Sequence, residues 1–362
     1  MSDWKCAAID HGVTIFPNGK IGPCCKIHAS YLKPIETILD SNRFADLNTE
    51  YPPAACERCI SDEDQGIVSY RATFNKLKTS APGLQFVDIR NNNLCNLKCR
   101  YCGPHFSSSW AKELGQEETS HQDIEPYKDI IISDDLHWMY FTGGEPLINP
   151  EHWDLLEELI SRGLAQNISL LYNTNLTTVK YRDIDIVDIW SHFKSVNIQC
   201  SIDAIGKPFE FIRSGAKWDK VDQNLQKLIA FSKHSDIKIS LSPVISILNI
   251  WFLDKLFEYN KQYNLHISPI VLTGPDYLAL DVVPDELKEL ALEHLEKIKS
   301  YIPKSMYNQI NNLINNNINS CLFNHTLSHV LLLDNIRGEK LFDLLPFDDV
   351  ARDQILRNYE YQ

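Results

Sequence analysis

The sequence predicts an α/β chain organised around a parallel sheet, and three observations carry the prediction. Short runs rich in β-branched and aromatic residues alternate, from about residue 85, with stretches of helical spacing. Polar turns separate the two kinds of segment, and six such units succeed one another before residue 280. With 362 residues, 44% of them hydrophobic, the chain is long enough for two domains of ordinary size. The predicted division is a small unit over 1–80, the repeated βα region over 81–280 and a helical C-terminal segment over 281–362.

Taken in order, the unit at 1–80 differs in texture from the βα repeat. Pro17, Asn18, Gly19, Gly22 and Pro23 make it turn-rich, and Cys6, Cys24, Cys25, Cys56 and Cys59 give it half of the ten cysteines. A segment of that size has a meagre core, so a metal is expected to hold it. The strands of the repeat are predicted near 85–90, 136–142, 167–173, 195–202, 237–247 and 266–272. The best-marked helix comes after the second strand, with Asn149 as cap, Pro150 at the first helical position, Trp153, Leu156, Leu159 and Ile160 as the apolar stripe and Gly163 as its end. Further on, 284–302 reads as an amphipathic helix on Leu287, Leu290, Leu295 and Ile298. A second helix is expected over 305–319 on Ile310, Leu313, Ile314 and Ile318, the many asparagines there forming its solvated face.

Lys and Arg number 35 against 48 Asp and Glu, a formal charge of −13, which is the wrong sign for gripping phosphates and makes nucleic acid an unexpected partner. No apolar run approaches the roughly 18 residues that span a membrane, and the start, Met1-Ser-Asp-Trp-Lys-Cys6, lacks the apolar core of a signal peptide. The expectation is a soluble, cytoplasmic protein with no membrane partner. In that reducing compartment, clustered cysteines point to metal rather than to disulfides.

Cys95-Asn-Leu-Lys-Cys99-Arg-Tyr-Cys102 places three thiols in one loop at the carboxyl end of the first predicted strand, where parallel α/β folds put their chemistry. Three thiolates can hold three corners of a four-iron cube and leave the fourth iron open. Structural zinc, the rival, wants a fourth ligand nearby. Gly143-Gly144-Glu145-Pro146 closes the second strand. Glycines there let the backbone approach a ligand, and a carboxylate suits an ammonium group, although alone such a segment is more often a plain strand-to-helix loop.

The CxxxCxxC spacing, with Tyr101 ahead of the last cysteine and the GGEP sequence one βα unit later, resembles the radical S-adenosylmethionine (SAM) superfamily. The resemblance implies a partial (β/α)6 TIM-like barrel, a [4Fe-4S] cluster on Cys95, Cys99 and Cys102 beside Tyr101, and SAM on the open iron. It also implies that an electron cleaves SAM to methionine and a 5′-deoxyadenosyl radical, which takes hydrogen from a substrate. The chemistry is the cofactor's, and the protein supplies position and exclusion of water. By the same resemblance, Gly143, Gly144, Glu145 and Pro146 meet the SAM amino group, Ser201 and Asp203 its ribose or carboxylate, and Arg213 its carboxylate. Asn173 and Asn175 resemble a Thr-Asn-Gly segment on the third strand, with Leu176 in place of the glycine, and Val244 and Asn249 neighbour the adenine. Read from the residues alone, each of these softer positions has a plain alternative as packed strand, turn or surface.

Cys6, the segment Gly19-Lys-Ile-Gly-Pro-Cys24 and Cys56-Glu-Arg-Cys59 resemble the twitch domain, the short form of the SPASM domain, which carries an auxiliary iron–sulfur cluster. A four-cysteine zinc site explains the same residues, and Cys25 is either an alternative to Cys24 or a bystander. Cys200 reads as a small buried hydrophobe or, if it points inward, as a hydrogen donor to a substrate radical, and Cys321 as packing. Arg90, Tyr172, Thr273, Asp276 and Tyr277 are candidate substrate contacts at strand ends. The expected activity is hydrogen abstraction from a peptide or protein side chain, for oxidation or cross-linking, with a reducing partner such as flavodoxin or ferredoxin. A small metabolite, such as a nucleotide or sugar derivative, is the alternative substrate. A zinc-holding module or an electron carrier that leaves SAM intact is the reading from another class.

Overall fold

The structure is a computed structural model that describes residues 5–48, 53–64, 66–116, 120–340 and 343–345. Residues 1–4 and the end of the predicted C-terminal segment, 346–362, lie outside the described residues. In chain order the strands are β1 (Gly12–Ile15), β2 (Lys20–Gly22), β3 (Lys33–Pro34), β4 (Phe86–Ile89), β5 (Trp138–Phe141), β6 (Ser169–Thr174), β7 (Lys180–Tyr181), β8 (Ile184–Asp185), β9 (Ser195–Cys200), β10 (Ile237–Leu241), β11 (Val244–Ile245), β12 (His266–Ile267) and β13 (Ile270–Val271). The predicted six strands of the repeat correspond to β4, β5, β6, β9, β10 and β12. The last two predicted runs are each interrupted, and their later halves, β11 and β13, pair with one another as a separate parallel ribbon.

The central sheet has the order β12-β10-β9-β6-β5-β4-β1-β2-β3, and every pairing from β12 to β1 is parallel. This is an α/β fold with a mostly parallel central sheet, as a partial barrel requires. The first eighty residues, expected ahead of the barrel as a unit of their own, continue this sheet: β1 pairs with β4 in register Gly12↔Phe86 to Ile15↔Ile89, and β2 and β3 join antiparallel.

Side chains alternate across these strands, so register sorts them into two faces. One face carries Met139, Phe141, Leu170, Tyr172, Val196, Ile198, Cys200, Ile239 and Leu241, all buried in the main core. Against it packs helix Pro150–Ser161, whose Trp153, Leu155, Leu156 and Leu159 are buried. Its start is as read from the sequence: the Asn149 side chain accepts from Glu151 N and Pro150 opens the first turn. The other, inner face carries Asp88, Tyr140, Leu171, Asn173, Asn197 and Gln199. Its amino end is filled by Phe86 and Trp138 together with Phe74, Ala7 and Ala8 of the first eighty residues.

After the sheet come helices Asp285–Ile298, Lys304–Asn316 and Phe323–Arg337. The first buries Leu287, Leu295 and Ile298 as expected. The second buries Ile310 and Ile314 but ends before Ile318, which is 76% exposed and so drops out of the predicted stripe. The third has no counterpart of its own among the expected helices, and it is the one that reaches the cysteine loop.

Candidate functional site

The loop holding Cys95, Cys99 and Cys102 leaves β4 and is bolted to its surroundings at several points. Ser107 Oγ donates to Leu97 O at 2.6 Å, Cys95 N donates to Ser108 Oγ at 3.1 Å, and Trp110 Nε1 donates to Cys99 O at 2.8 Å. Arg100, fully buried, lies 3.6 Å over the Phe211 ring, donates to Phe211 O and Val330 O, and pairs with Asp334 at 2.5 Å and Glu339 at 2.6 Å. His329 bonds Arg100 O at 3.0 Å, and Arg337 pairs with Glu113 at 2.7 Å and donates to Lys98 O. Helix Phe323–Arg337 therefore clamps the loop from outside. Sequence reasoning missed this clamp, and its one signal was an arginine between two cysteines.

The GGEP segment serves this loop directly. Gly144 N donates to Asn92 O at 3.3 Å and Glu145 N to Leu94 O at 2.7 Å. A Cβ on Gly144 would lie 2.0 Å from Leu94 O, and Gly143, at φ +107°, packs on Arg90 and Asn92 O. The close approach that requires glycine here is to residues 90–94, just before Cys95, and not only to a ligand. The Glu145 carboxylate, expected to meet an ammonium, already accepts from Thr174 Oγ1 at 2.7 Å, Leu147 N at 3.1 Å and Asn175 N at 2.6 Å. Burial raises its pKa, these three donors oppose the rise, and its visible work is to pin the end of β6. Pro146 is buried and opens the short turn after it. Asn175 donates to Asn96 Oδ1, tying β6 to the cysteine loop, while Asn173 accepts from Tyr140 Oη on the inner face. Leu176, which stands where the resembled segment has glycine, adopts a left-handed φ of +58° and is fully buried.

Four of the softer candidates converge, together with Tyr101, on one network. Asp203, fully buried, accepts from Tyr101 Oη at 2.8 Å and Val244 N at 2.7 Å, and Arg213 Nε lies 2.8 Å from its Oδ2 as a close ion pair without an aligned hydrogen bond. Asn249, also fully buried, donates to Asp203 O and Val244 O. Arg213 Nη1 donates to Cys99 Sγ at 3.8 Å. The Asp203 carboxylate is thus already engaged by protein groups, and Asn249 holds backbone. Ser201 is partly exposed on the inner face.

Of the proposed substrate contacts, Arg90 stands on the inner face, paired with Asp88 at 2.6 Å and lying 5.7 Å from the Tyr140 ring centroid. Tyr172 and Cys200 do not: both face the helices, fully buried. Tyr172 bonds His152 Nε2 at 2.8 Å and stacks on Phe141, which removes it from the candidates, and Cys200 is the small buried hydrophobe. Tyr277 stacks on His325 and reaches His329, so it belongs to the outer clamp. Asp276 and Thr273 are exposed beside it, and Asp276 caps Tyr277 N. Cys321 is exposed rather than packed.

The cysteines form two neighbourhoods. Cys95, Cys99 and Cys102 feel one another's charge, and burial raises all three thiols, Cys95 to about 12. Such thiols stay protonated until a cation takes the charge; three sulfurs with one guanidinium beside them and backbone amides aimed at Cys95 and Cys102 suit a soft, cationic iron–sulfur group. Cys6, Cys24, Cys56 and Cys59 form the second, each raised chiefly by burial. Amides at two helix starts face them, Ala8 and Ile9 at Cys6, Tyr70 and Arg71 at Cys59. Cys25 turns the other way, against Asp88, Arg90 and Tyr70 on the inner face. Among the described residues no group of three His, Cys, Asp or Glu is drawn into a metal-ligating arrangement. No helix among them is long and apolar enough to cross a membrane.

The family model "Radical SAM superfamily" matches residues 92–245, taking in all three cysteines, GGEP, Asp203 and Arg213. GTP 3′,8-cyclase 1 of Mycobacterium tuberculosis is 28% identical over 174 residues, 48% of this chain and 47% of that protein. Mycofactocin maturase MftC of the same species is 27% identical over 173 residues, 47% of this chain and 40% of that protein. This chain thus spans about half the length of the curated relatives it matches. The crystal structure of Streptococcus suis SuiB bound to S-adenosylmethionine aligns with a TM-score of 0.41 and 14% identity over 80% of this chain and 69% of that one. Residues 92–245 form a radical SAM superfamily domain.

Proposed function

We propose that the chain is a radical SAM enzyme that abstracts hydrogen from a peptide or protein side chain. The observation that carries the reading is the pairing of two motifs: a three-cysteine loop whose position is fixed, backbone to backbone, by the GGEP turn inside the matched domain. Cys95, Cys99 and Cys102 would hold the [4Fe-4S] cluster, which together with SAM supplies the hydrogen-abstracting radical. The chain's own residues then do three things. The clamp through Arg100 and Arg337 holds the cluster loop against movement, Arg213 and Tyr101 close one side of it, and the inner face offers Arg90, Asn173, Gln199 and Ser201 to a substrate. The partial exposure of these inner groups supports an open mouth, which suits a peptide better than an enclosed metabolite.

Cys6, Cys24, Cys56 and Cys59 are proposed as a twitch-like auxiliary iron–sulfur site, with Cys24 rather than Cys25 as the fourth ligand. Their shared neighbourhood supports this, as does the opposite orientation of Cys25. A flavodoxin or ferredoxin is the proposed electron donor, and the cytoplasm the proposed setting. After anaerobic reconstitution about eight irons per chain are expected from two four-iron clusters. Reduced protein incubated with SAM should release 5′-deoxyadenosine, and replacing Cys95, Cys99 and Cys102 by Ala should abolish that release. Zinc without iron, or no 5′-deoxyadenosine under strong reductant, sinks the reading.

A further inference from the structure

We propose that Arg213 sets the reduction potential of the cluster held by Cys95, Cys99 and Cys102, acting on the Cys99 sulfur from a position fixed by Asp203 and Tyr101. The inference rests on the radical SAM reading and names a tuning device within that site. Its geometry is unusually specific. Arg213 is 5% exposed and Asp203 is fully buried, so neither charge is relieved by water. A buried guanidinium normally closes a two-pronged pair with a carboxylate. Here the ion pair with Asp203 is made through Nε at 2.8 Å, without an aligned hydrogen bond, while Nη1 donates to Cys99 Sγ at 3.8 Å. The same Asp203 oxygen takes the Tyr101 hydroxyl, and the Arg213 guanidinium lies 5.7 Å from the Tyr101 ring centroid.

The backbone around the cation is fixed to the cysteine loop as well. Arg213 N bonds Phe209 O at the end of helix Gly206–Ile212, Lys98 N donates to Ser214 O, and Arg100 N donates to Ile212 O, the last two at 2.8 Å. Arg213 is held beside the loop and cannot swing away without breaking these ladders.

Adding an electron to a thiolate-bound cluster increases its negative charge. A buried cation and an N–H···S bond at a ligand sulfur stabilise the reduced form and raise the potential. Asp203, behind the cation, offsets part of that effect. The two residues therefore pull in opposite directions. A pair that serves only as a brace would show no such opposition, since losing either half would loosen the same loop.

The test is a spectroelectrochemical titration of the reconstituted full chain without substrate, tracking by EPR the reduced cluster whose signal changes on adding SAM. Arg213→Met should lower the ratio of reduced to oxidised cluster at a fixed potential by at least tenfold, which is 59 mV for a one-electron couple. Asp203→Asn should raise that ratio, and Arg213→Lys, which keeps the charge but not the fork, should fall between Arg213→Met and the native protein. Shifts in the same direction for Arg213→Met and Asp203→Asn, shifts under threefold in both, or loss of iron in both would overturn the proposal. Native protein that takes up no iron at the three cysteines would instead overturn the radical SAM reading, and the iron count before titration separates the two failures.

Discussion

Replacing Arg100 by Met tests whether the C-terminal helix holds the cysteine loop in place. Arg100 is fully buried, and its two carboxylate partners are 10% and 29% exposed. Removing one side of a buried, hydrogen-bonded ion pair costs about 3–5 kcal/mol, because the other charge stays behind in a poor solvent. Glu339 keeps part of its hydration and Met restores part of the packing on Phe211, so the lower end, about 3 kcal/mol, is expected. For a chain of this size that lowers the melting temperature by roughly 6 °C, at about 2 °C per kcal/mol. Urea denaturation monitored by tryptophan fluorescence gives the free energy, and limited proteolysis reports whether helix Phe323–Arg337 is released first. Arg100→Lys should recover less than half of the loss, since one ammonium cannot replace a fork that serves Phe211 O, Val330 O, Asp334 and Glu339. A loss below about 1 kcal/mol for Arg100→Met, or full recovery by Lys, would refute the clamp.

Gly144→Ala forces a Cβ to within 2.0 Å of Leu94 O, so about 3 kcal/mol of stability and most iron at the triplet should be lost, measured by urea denaturation and iron content. Burial lowers the His152 pKa from 6.5 to about 3. Unfolded chains take up that proton near pH 6.5 and folded ones do not, so stability is complete above pH 6.5 and falls by about 1.4 kcal/mol per pH unit below it until about pH 3. Between pH 6.5 and 5 that is about 2 kcal/mol, and denaturation at the two pH values should show a shallower loss in His152→Phe. Replacing Cys24 by Ala should halve the iron content by emptying the amino-terminal site, whereas Cys25→Ala should leave it unchanged; equal losses would return Cys25 to the ligand set.

The parts of the fold legible in the sequence are those set by local pattern. Helix Pro150–Ser161 announces its cap, first proline and stripe, and the six strands of the repeat announce themselves by composition. Pairing of β1 with β4 cannot be read, because four residues buried on both faces carry no period and their partner lies more than seventy positions away. Tyr172 fails as a candidate for a different reason. Nearness to the strand's end singles it out, yet alternation along β6 puts Asn173 on the inner face and Tyr172 behind it. The three cysteines and GGEP are legible because spacing alone defines them. Their mutual support is not, since the contact of Gly144 with Leu94 joins backbone to backbone. Asp203 and Arg213 stand out in the sequence, but it cannot show that their first partners are Tyr101, Val244 and Cys99 rather than a ligand.

The continuation of the sheet through β1, β2 and β3 bears on how the protein survives its own synthesis. Without them β4 would be a bare rim, its amide and carbonyl row open to any passing strand, and such rims seed aggregation. The segment that covers the rim is also the one proposed above to hold a second cluster on Cys6, Cys24, Cys56 and Cys59, and its Ile9, Val13, Ile15 and Ile21 are buried in the main core. Chain made faster than iron can be delivered would leave that cover loose and β4 sticky, so low soluble yield in iron-starved cells would reflect an uncovered sheet margin, and co-expression of cluster-assembly machinery should restore solubility before it restores any activity.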